Sequence, residues 1–143
     1  MQRRAFIDAN IPMYAVGREH PLREPCRLIL QRIVDGDLAV CTDSEVHQEI
    51  FYRYWSLGQL ARGIALSSNF HRVVNIVLPV TSIDVTTARE LGNRYPQMPP
   101  RDWLHLAVML NNGITEIISA DRHFDNIEGI TRLDPREFVQ AHP

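Results

Sequence analysis

No lysine occurs among the 143 residues; all fifteen basic side chains are arginine. A guanidinium is planar and matches phosphate in a bidentate fork, whereas an ammonium is a point charge. The composition therefore accommodates phosphate chemistry, although coding bias in a source genome would produce the same bias. Cysteine is scarce: Cys26 and Cys41 sit in unrelated contexts, form no CxxC, and read as small buried apolar residues of a reducing compartment. No uninterrupted apolar stretch approaches the ~18 residues of a membrane span. Only Ala5-Phe6-Ile7 separates Arg3-Arg4 from Asp8, too little for the apolar region of a signal peptide. The expectation is a cytoplasmic protein with no membrane association. An excess of positive charge is missing too. The net charge is −2 and the pI about 6.3, so any site for a polyanion must be local. With 45% hydrophobic and 22% charged residues, the chain reads as one globular domain spanning 1–143.

The apolar runs are short: Ala5 to Asp8, Leu38 to Thr42, Ile76 to Val80 and Glu116 to Ser119. None alternates cleanly, which suits strands covered on both faces. Between them lie helical patterns. Pro21 to Val34 carries Leu22, Cys26, Ile29, Leu30 and Ile33 and stops at Asp35-Gly36-Asp37. Ser44 to Leu57 carries Val46, Ile50, Tyr54 and Leu57; Leu60 to Val74 follows, with Ile64 and Val73 among its apolar positions. Asp84 to Tyr95 reads as a helix capped by Asp84, with Ala88, Leu91 and Tyr95 on one face. Arg101 to Asn112 opens after Pro99-Pro100 and closes at Asn112-Gly113. Pro135 to Val139 makes a last short helix, and a further one begins at Asn10-Ile11-Pro12. Strands alternating with helices imply a short parallel sheet in a three-layer α/β/α domain.

In such sheets ligands gather at the carboxyl ends of the strands, near a switch in strand order. Asp8 ends the first apolar run, and Ile117-Ile118-Ser119-Ala120-Asp121 repeats the pattern of an apolar strand running into an acid. Asp102 stands near the start of the helix before that second strand, and Glu49 lies about two turns into the helix after Leu38–Thr42. Each has an ordinary explanation. A strand-end Asp serves turns and caps, an acid near a helix N-terminus suits the macrodipole, and Glu49 could be an exposed helix residue. Taken together they suggest one pocket. At ~5 Å and an effective dielectric near 20, each carboxylate pair repels by about 3 kcal/mol, which requires protonation or a cation. An all-oxygen donor set selects Mg2+ or Mn2+ over zinc. Such an ion suits hydrolysis of a phosphodiester.

The segments FIDANIP, SEVHQEI, PPRDWLHLAVML and IISADRHFDNIEGITRLDP, in this order and spacing, resemble the PIN domain, in particular the VapC-type toxin ribonucleases of toxin–antitoxin systems. The resemblance runs from Phe6 to Pro135. It implies a PIN-like fold and an RNA-cleaving site in which Asp8, Glu49, Asp102 and Asp121 bind Mg2+ or Mn2+, with Asp125 as an accessory acid. It also implies a cognate antitoxin and a homodimer. Asn10 matches a polar position that caps the following helix or orients Asp8, and Ser119 matches a small hydroxyl near the metal. Trp103 departs from a position that is often small; helical geometry directs it away from the metal.

Arg101 and Arg122 flank quartet acids and could hold RNA phosphates, or pair with those acids or with Glu128. His105 follows Asp102 by three residues and shares its helical face, which leaves a metal-ligand role open; the family pattern that the chain resembles commonly has His there without ligation. His47, His71 and His123 carry no convincing spacing. Tyr52-Arg53-Tyr54-Trp55 is open between RNA stacking, an antitoxin surface and core. Two other functions compete. A phosphoaspartate receiver needs a lysine, which is absent, and a dehalogenase-like phosphatase needs an Asp two positions after Asp8, where Asn10 stands. A catalytically silent PIN-like module that binds RNA or protein is the remaining alternative, although all four acids are present.

Overall fold

Ala5–Ile7 forms the first strand, β1, and all three residues are buried. A strand enclosed on both faces needs partners on both edges to satisfy its backbone. β2 (Val40–Asp43) pairs with it in parallel, setting Phe6 opposite Cys41. On the other edge β4 (Glu116–Ile118) sets Ile7 opposite Ile118. β3 (Val77–Leu78) extends the sheet beyond β2, and β5 (Thr131–Leu133) extends it beyond β4. The strand order is β3-β2-β1-β4-β5, all parallel. The computed structural model of the chain describes residues 3–143.

Parallel strands require crossovers, and the helices supply them. α1 (Asn10–Val16) and α2 (Arg23–Val34) join β1 to β2 and pack on each other; α3 (Ser44–Ser56) and α4 (Leu60–Val73) do the same between β2 and β3. α5 (Ser82–Arg94) and α6 (Pro100–Asn111) form the third pair, and α7 (Pro135–Ala141) lies against α2. The result is the expected three-layer α/β/α architecture. Phe6, Ile7, Ile117 and Ile118 from the central strands pack with Ile11, Ile29, Leu106, Met109 and Phe124 in one continuous core.

Four local expectations change. The Thr131–Leu133 strand has no apolar run; it exists because β4 offers it an edge, with Ile117 opposite Arg132. The third strand shrinks to two residues. Thr81, not Asp84, caps α5: the Thr81 hydroxyl accepts from the Asp84 amide at 3.4 Å while the Asp84 carboxylate accepts from the Thr81 amide at 2.8 Å. That reciprocal arrangement is a capping box, and Asp84 is its third-position acid; it also accepts from Asn111 Nδ2 at 2.8 Å, tying α5 to α6. Ile64 is exposed, because α4 turns Gly63, Leu66, Ser67 and Phe70 inward instead. Gly63 is there for contact: a Cβ on it would lie 2.6 Å from Tyr54 Cβ.

Candidate active site

Chain order reverses between β1 and β4, and the crevice at such a reversal is open at the carboxyl ends of the strands. Asp8 follows β1 and Ser119 follows β4, so the two meet there. Ser119 Oγ donates to Asp8 Oδ2 at 2.6 Å, and the Asn10 amide donates to the same carboxylate oxygen at 3.2 Å and to Ser119 Oγ at 3.1 Å. The Ala9 amide donates to Asp8 Oδ1 at 2.8 Å. Asn10 Oδ1 accepts from the Ala120 amide at 3.2 Å, which fastens the end of β4 to the start of α1. Asn10 thus orients Asp8. It does not cap α1, whose N-cap is Ala9 and which has no side-chain cap. Asp8 is 4% exposed; burial raises its pKa, and the Glu49 charge adds to the rise.

Asp102 is the third residue of α6 and 3% exposed. The helix N-terminus favours an acid there, yet the carboxyl is pushed up to about 7, first by burial and then by repulsion from Asp8, Asp121 and Glu49. Acids from two strand ends and one other helix therefore bear on Asp102. Asp121 lies just beyond Ser119, whose Oγ accepts from the Asp121 amide at 3.0 Å. Its carboxylate faces His123 Nδ1 at 2.8 Å, and the same nitrogen lies 3.3 Å from Asp102 Oδ2. Glu49 turns inward from α3: Oε1 pairs with His105 Nε2, and Oε2 lies 3.5 Å from Arg101 Nε. One ligand atom from each of Asp8, Glu49 and His105 lies within 4.8 Å of the others, and the same holds for Asp102, Asp121 and His123.

Asp125 stands in neither group. Its two oxygens are held by Arg132 at 2.8 and 3.3 Å, and that hydrogen bonding holds its pKa below the ordinary carboxylate range. Arg132 also donates to the Ser119 carbonyl at 3.0 Å and to Asp134 at 3.3 Å. Asp125 is thereby linked through one guanidinium to the turn that carries Ser119 and Asp121. Arg101 is half exposed beside Glu49, while Arg122 is exposed and its charge acts on Asp125. Glu128 is the partner of Arg94, not of Arg101 or Arg122. Trp103 points away from the acids: its Nε1 donates to the Tyr95 carbonyl at 3.0 Å and its ring lies over Gly92. In the aromatic cluster, Tyr54 is core; Tyr52 and Trp55 are 57% and 61% exposed, with ring centroids 5.8 Å apart.

Three residues here were not among the expected site residues. His123 bridges two acids, His105 is wholly buried between Glu49 and Asp43, and Asp43 closes β2. Asp43 had a legible signal, since it follows an apolar strand as Asp8 does. Burial opposes charging His105, but the Asp43 carboxylate, with Glu49, outweighs it and holds the imidazole well above its ordinary pKa.

The donor chemistry fits a hard divalent cation. Asp8, Glu49, Asp102 and Asp121 contribute only oxygens, and after burial it is repulsion from Asp8, Asp121 and Glu49 that raises the Asp102 pKa, a repulsion a cation would relieve.

A parallel sheet with this strand order and acids from four elements at its carboxyl edge define a small α/β fold with an acidic cleft. The chain belongs to the PIN domain family, whose model matches residues 5–130. Its relatives are of the VapC type. It is 39% identical over 131 residues to ribonuclease VapC13 of Mycobacterium tuberculosis, covering 90% of this chain and 98% of the relative. It is 38% identical over 118 residues to ribonuclease VapC23 of the same species, covering 81% and 91%. Among solved structures, VapBC2 from Rickettsia felis bound to a DNA fragment from its promoter superposes with a TM-score of 0.69 at 12% identity, covering 91% of this chain and 98% of that one. At that identity the likeness is one of fold.

Proposed function

We propose that the cleft is the active site of a Mg2+- or Mn2+-dependent endoribonuclease, the toxin component of a toxin–antitoxin module. The observation that carries this reading is that Asp8 and Glu49 gather in one group and Asp102 and Asp121 in a second, with Asp102 raised to about 7 first by burial and then by the other three. The similarity to the VapC ribonucleases supports RNA as the substrate.

Asp8, Asp102, Asp121 and Glu49 would hold the cation, which when bound polarises the phosphodiester and lowers the pKa of the attacking water. The chain's own groups do the rest. Ser119 and Asn10 hold Asp8 in one rotamer, so the carboxylate needs no reordering when substrate arrives. Arg101, half exposed at the rim, and Arg122, exposed beside the second acid group, supply the fork geometry that phosphate oxygens accept. Asp125 contributes through the Arg132 link to the Ser119 turn, not as a ligand. Water as nucleophile leaves 5′-phosphate and 3′-hydroxyl ends.

The partner would be a cognate antitoxin whose C-terminal segment blocks the groove. The chain itself would act as a homodimer in the cytoplasm. None of the helices is long and apolar enough to cross a membrane among the described residues.

The test is Asp8→Asn with the fold verified by circular dichroism. Loss of Mg2+-dependent RNA cleavage by at least a hundredfold is expected; undiminished cleavage would remove this mechanism.

A further inference from the structure

Asp43 ends β2 at the same sheet edge as Asp8, and its carboxylate is divided between two tasks. Oδ1 accepts from the Val46 amide at 2.9 Å and so caps α3. Oδ2 faces His105 Nδ1 at 2.8 Å, and the other nitrogen of that ring faces Glu49 Oε1. Both Asp43 and the His105 ring are wholly enclosed, the ring lying against Phe6 with centroids 5.5 Å apart. Both ring nitrogens are thus engaged by carboxyl oxygens. Neither is open toward a cation, which leaves His105 to hold Glu49 despite its place among the acids.

Glu49 presents a problem this arrangement answers. It is the quartet member on the longest side chain, with the most rotamer freedom to lose, and Asp8 and Asp102 both repel it. Apart from His105, only the half-exposed Arg101 faces its carboxylate among the described residues.

We propose that Asp43 and His105 are positioning residues for Glu49. The imidazole, fixed at Nδ1 by Asp43, holds Glu49 Oε1 by a hydrogen bond and leaves Oε2 as the oxygen that faces the half-exposed Arg101 at 3.5 Å. Asp43 acts twice on the same residue. As the N-cap it sets where α3 begins, and through His105 it sets where the side chain of Glu49, six residues on, comes to rest. The inference rests on the proposed metal reading of the quartet.

The experiment measures Mn2+ affinity by titration calorimetry, and kcat and KM for a fluorogenic RNA, on Asp43→Ser, His105→Gln, Glu49→Gln and the double variants with Glu49→Gln. Serine is itself a good N-cap, so Asp43→Ser removes the contact to His105 while keeping the helix start. Each of Asp43→Ser and His105→Gln is expected to weaken Mn2+ binding about tenfold or more and to lower kcat with KM little changed. Added to Glu49→Gln, either change should cost less than about twofold further, because its route of action is already gone. Full multiplicative losses in the double variants, or wild-type Mn2+ affinity in both single variants, would overturn the proposal. If one of the two variants fails to fold, the cycle with the other decides. Asp8→Asn serves as the control: unweakened Mn2+ binding there would remove the metal reading and this inference with it, whereas weakened binding with multiplicative doubles would sink the inference alone.

Discussion

Ser119 Oγ donates to Asp8 Oδ2 at 2.6 Å, although the two residues are 111 positions apart. The contact exists because β1 and β4 are neighbours at the point where strand order reverses. The same hydroxyl accepts from the Asp121 amide and from Asn10, so one small side chain couples both strand-end acids. Ser119→Ala should weaken Mn2+ binding about 10- to 100-fold while lowering stability by only about 1–3 kcal/mol. Calorimetric titration and urea unfolding of the same preparation check the two halves; an unaltered Mn2+ affinity would show that the hydroxyl is packing alone.

Asp102 makes the cation-free protein sensitive to pH in a definite direction. Its native carboxyl keeps a proton up to about pH 7, whereas in the unfolded chain the proton leaves near 3.8. Across that window the native state binds more protons, so stability falls as pH rises; Asp8 is shifted the same way. Asp125 and Glu128, held below the usual values by hydrogen bonds from Arg132 and Arg94, and His47, lowered by burial, contribute in the opposite direction, and comparison with Asp102→Asn cancels them. Urea midpoints should decline from pH 4.5 to 7 in the wild type and decline less in Asp102→Asn. Saturating Mg2+ should remove the decline above pH 6 by binding the native state alone. Parallel pH slopes for the two proteins would contradict this account.

Asp125 and Arg132 should separate stability from metal affinity. Arg132 is nearly buried while its partners Asp125 and Asp134 are partly exposed. Arg132→Met leaves those acids able to hydrate, at a cost of about 2 kcal/mol, below that of a fully buried pair. Asp125→Ala should also destabilise, yet keep Mn2+ affinity within about twofold. A tenfold loss of affinity in Asp125→Ala would instead make it a ligand.

Gly63 permits α4 to lie on α3 at Tyr54. Gly63→Ala places a Cβ 2.6 Å from Tyr54 Cβ, on the rigid base of that side chain, so the helices must part. A loss of about 1–3 kcal/mol is expected from overpacking, opposite in sign to the gain that Gly→Ala brings in an open helix. Chemical denaturation reads it directly.

The aromatic cluster on α3 should divide by burial. Tyr54→Ala should cost about 3–5 kcal/mol, as for other large core aromatics, while Tyr52→Ala and Trp55→Ala should stay within about 0.5 kcal/mol. Thermal or urea unfolding of the three variants distinguishes the core residue from the two exposed ones.

Short apolar runs bounded by turn residues were enough to give the sequence reading four strands, the helices and the layer order, because a doubly covered strand cannot afford polar interruptions. Asp8, Asp102 and Asp121 were legible as candidates for a related reason: an acid that ends a strand or opens a helix stands out locally, whereas Glu49, two turns into its helix, was picked out mainly by the family resemblance. The Thr131–Leu133 strand was not legible. Its residues have no pattern of their own, and only the exposed edge of β4 makes them a strand. Nor could the sequence say that His105 would be enclosed by two acids, that Asp125 would be taken by Arg132, or that Tyr54 alone of its cluster would be core. Periodicity is a property of neighbours along the chain and survives without the fold. Which carboxylate meets which imidazole or guanidinium depends on contacts between residues tens of positions apart, and those are set only when the sheet order brings the strand ends together.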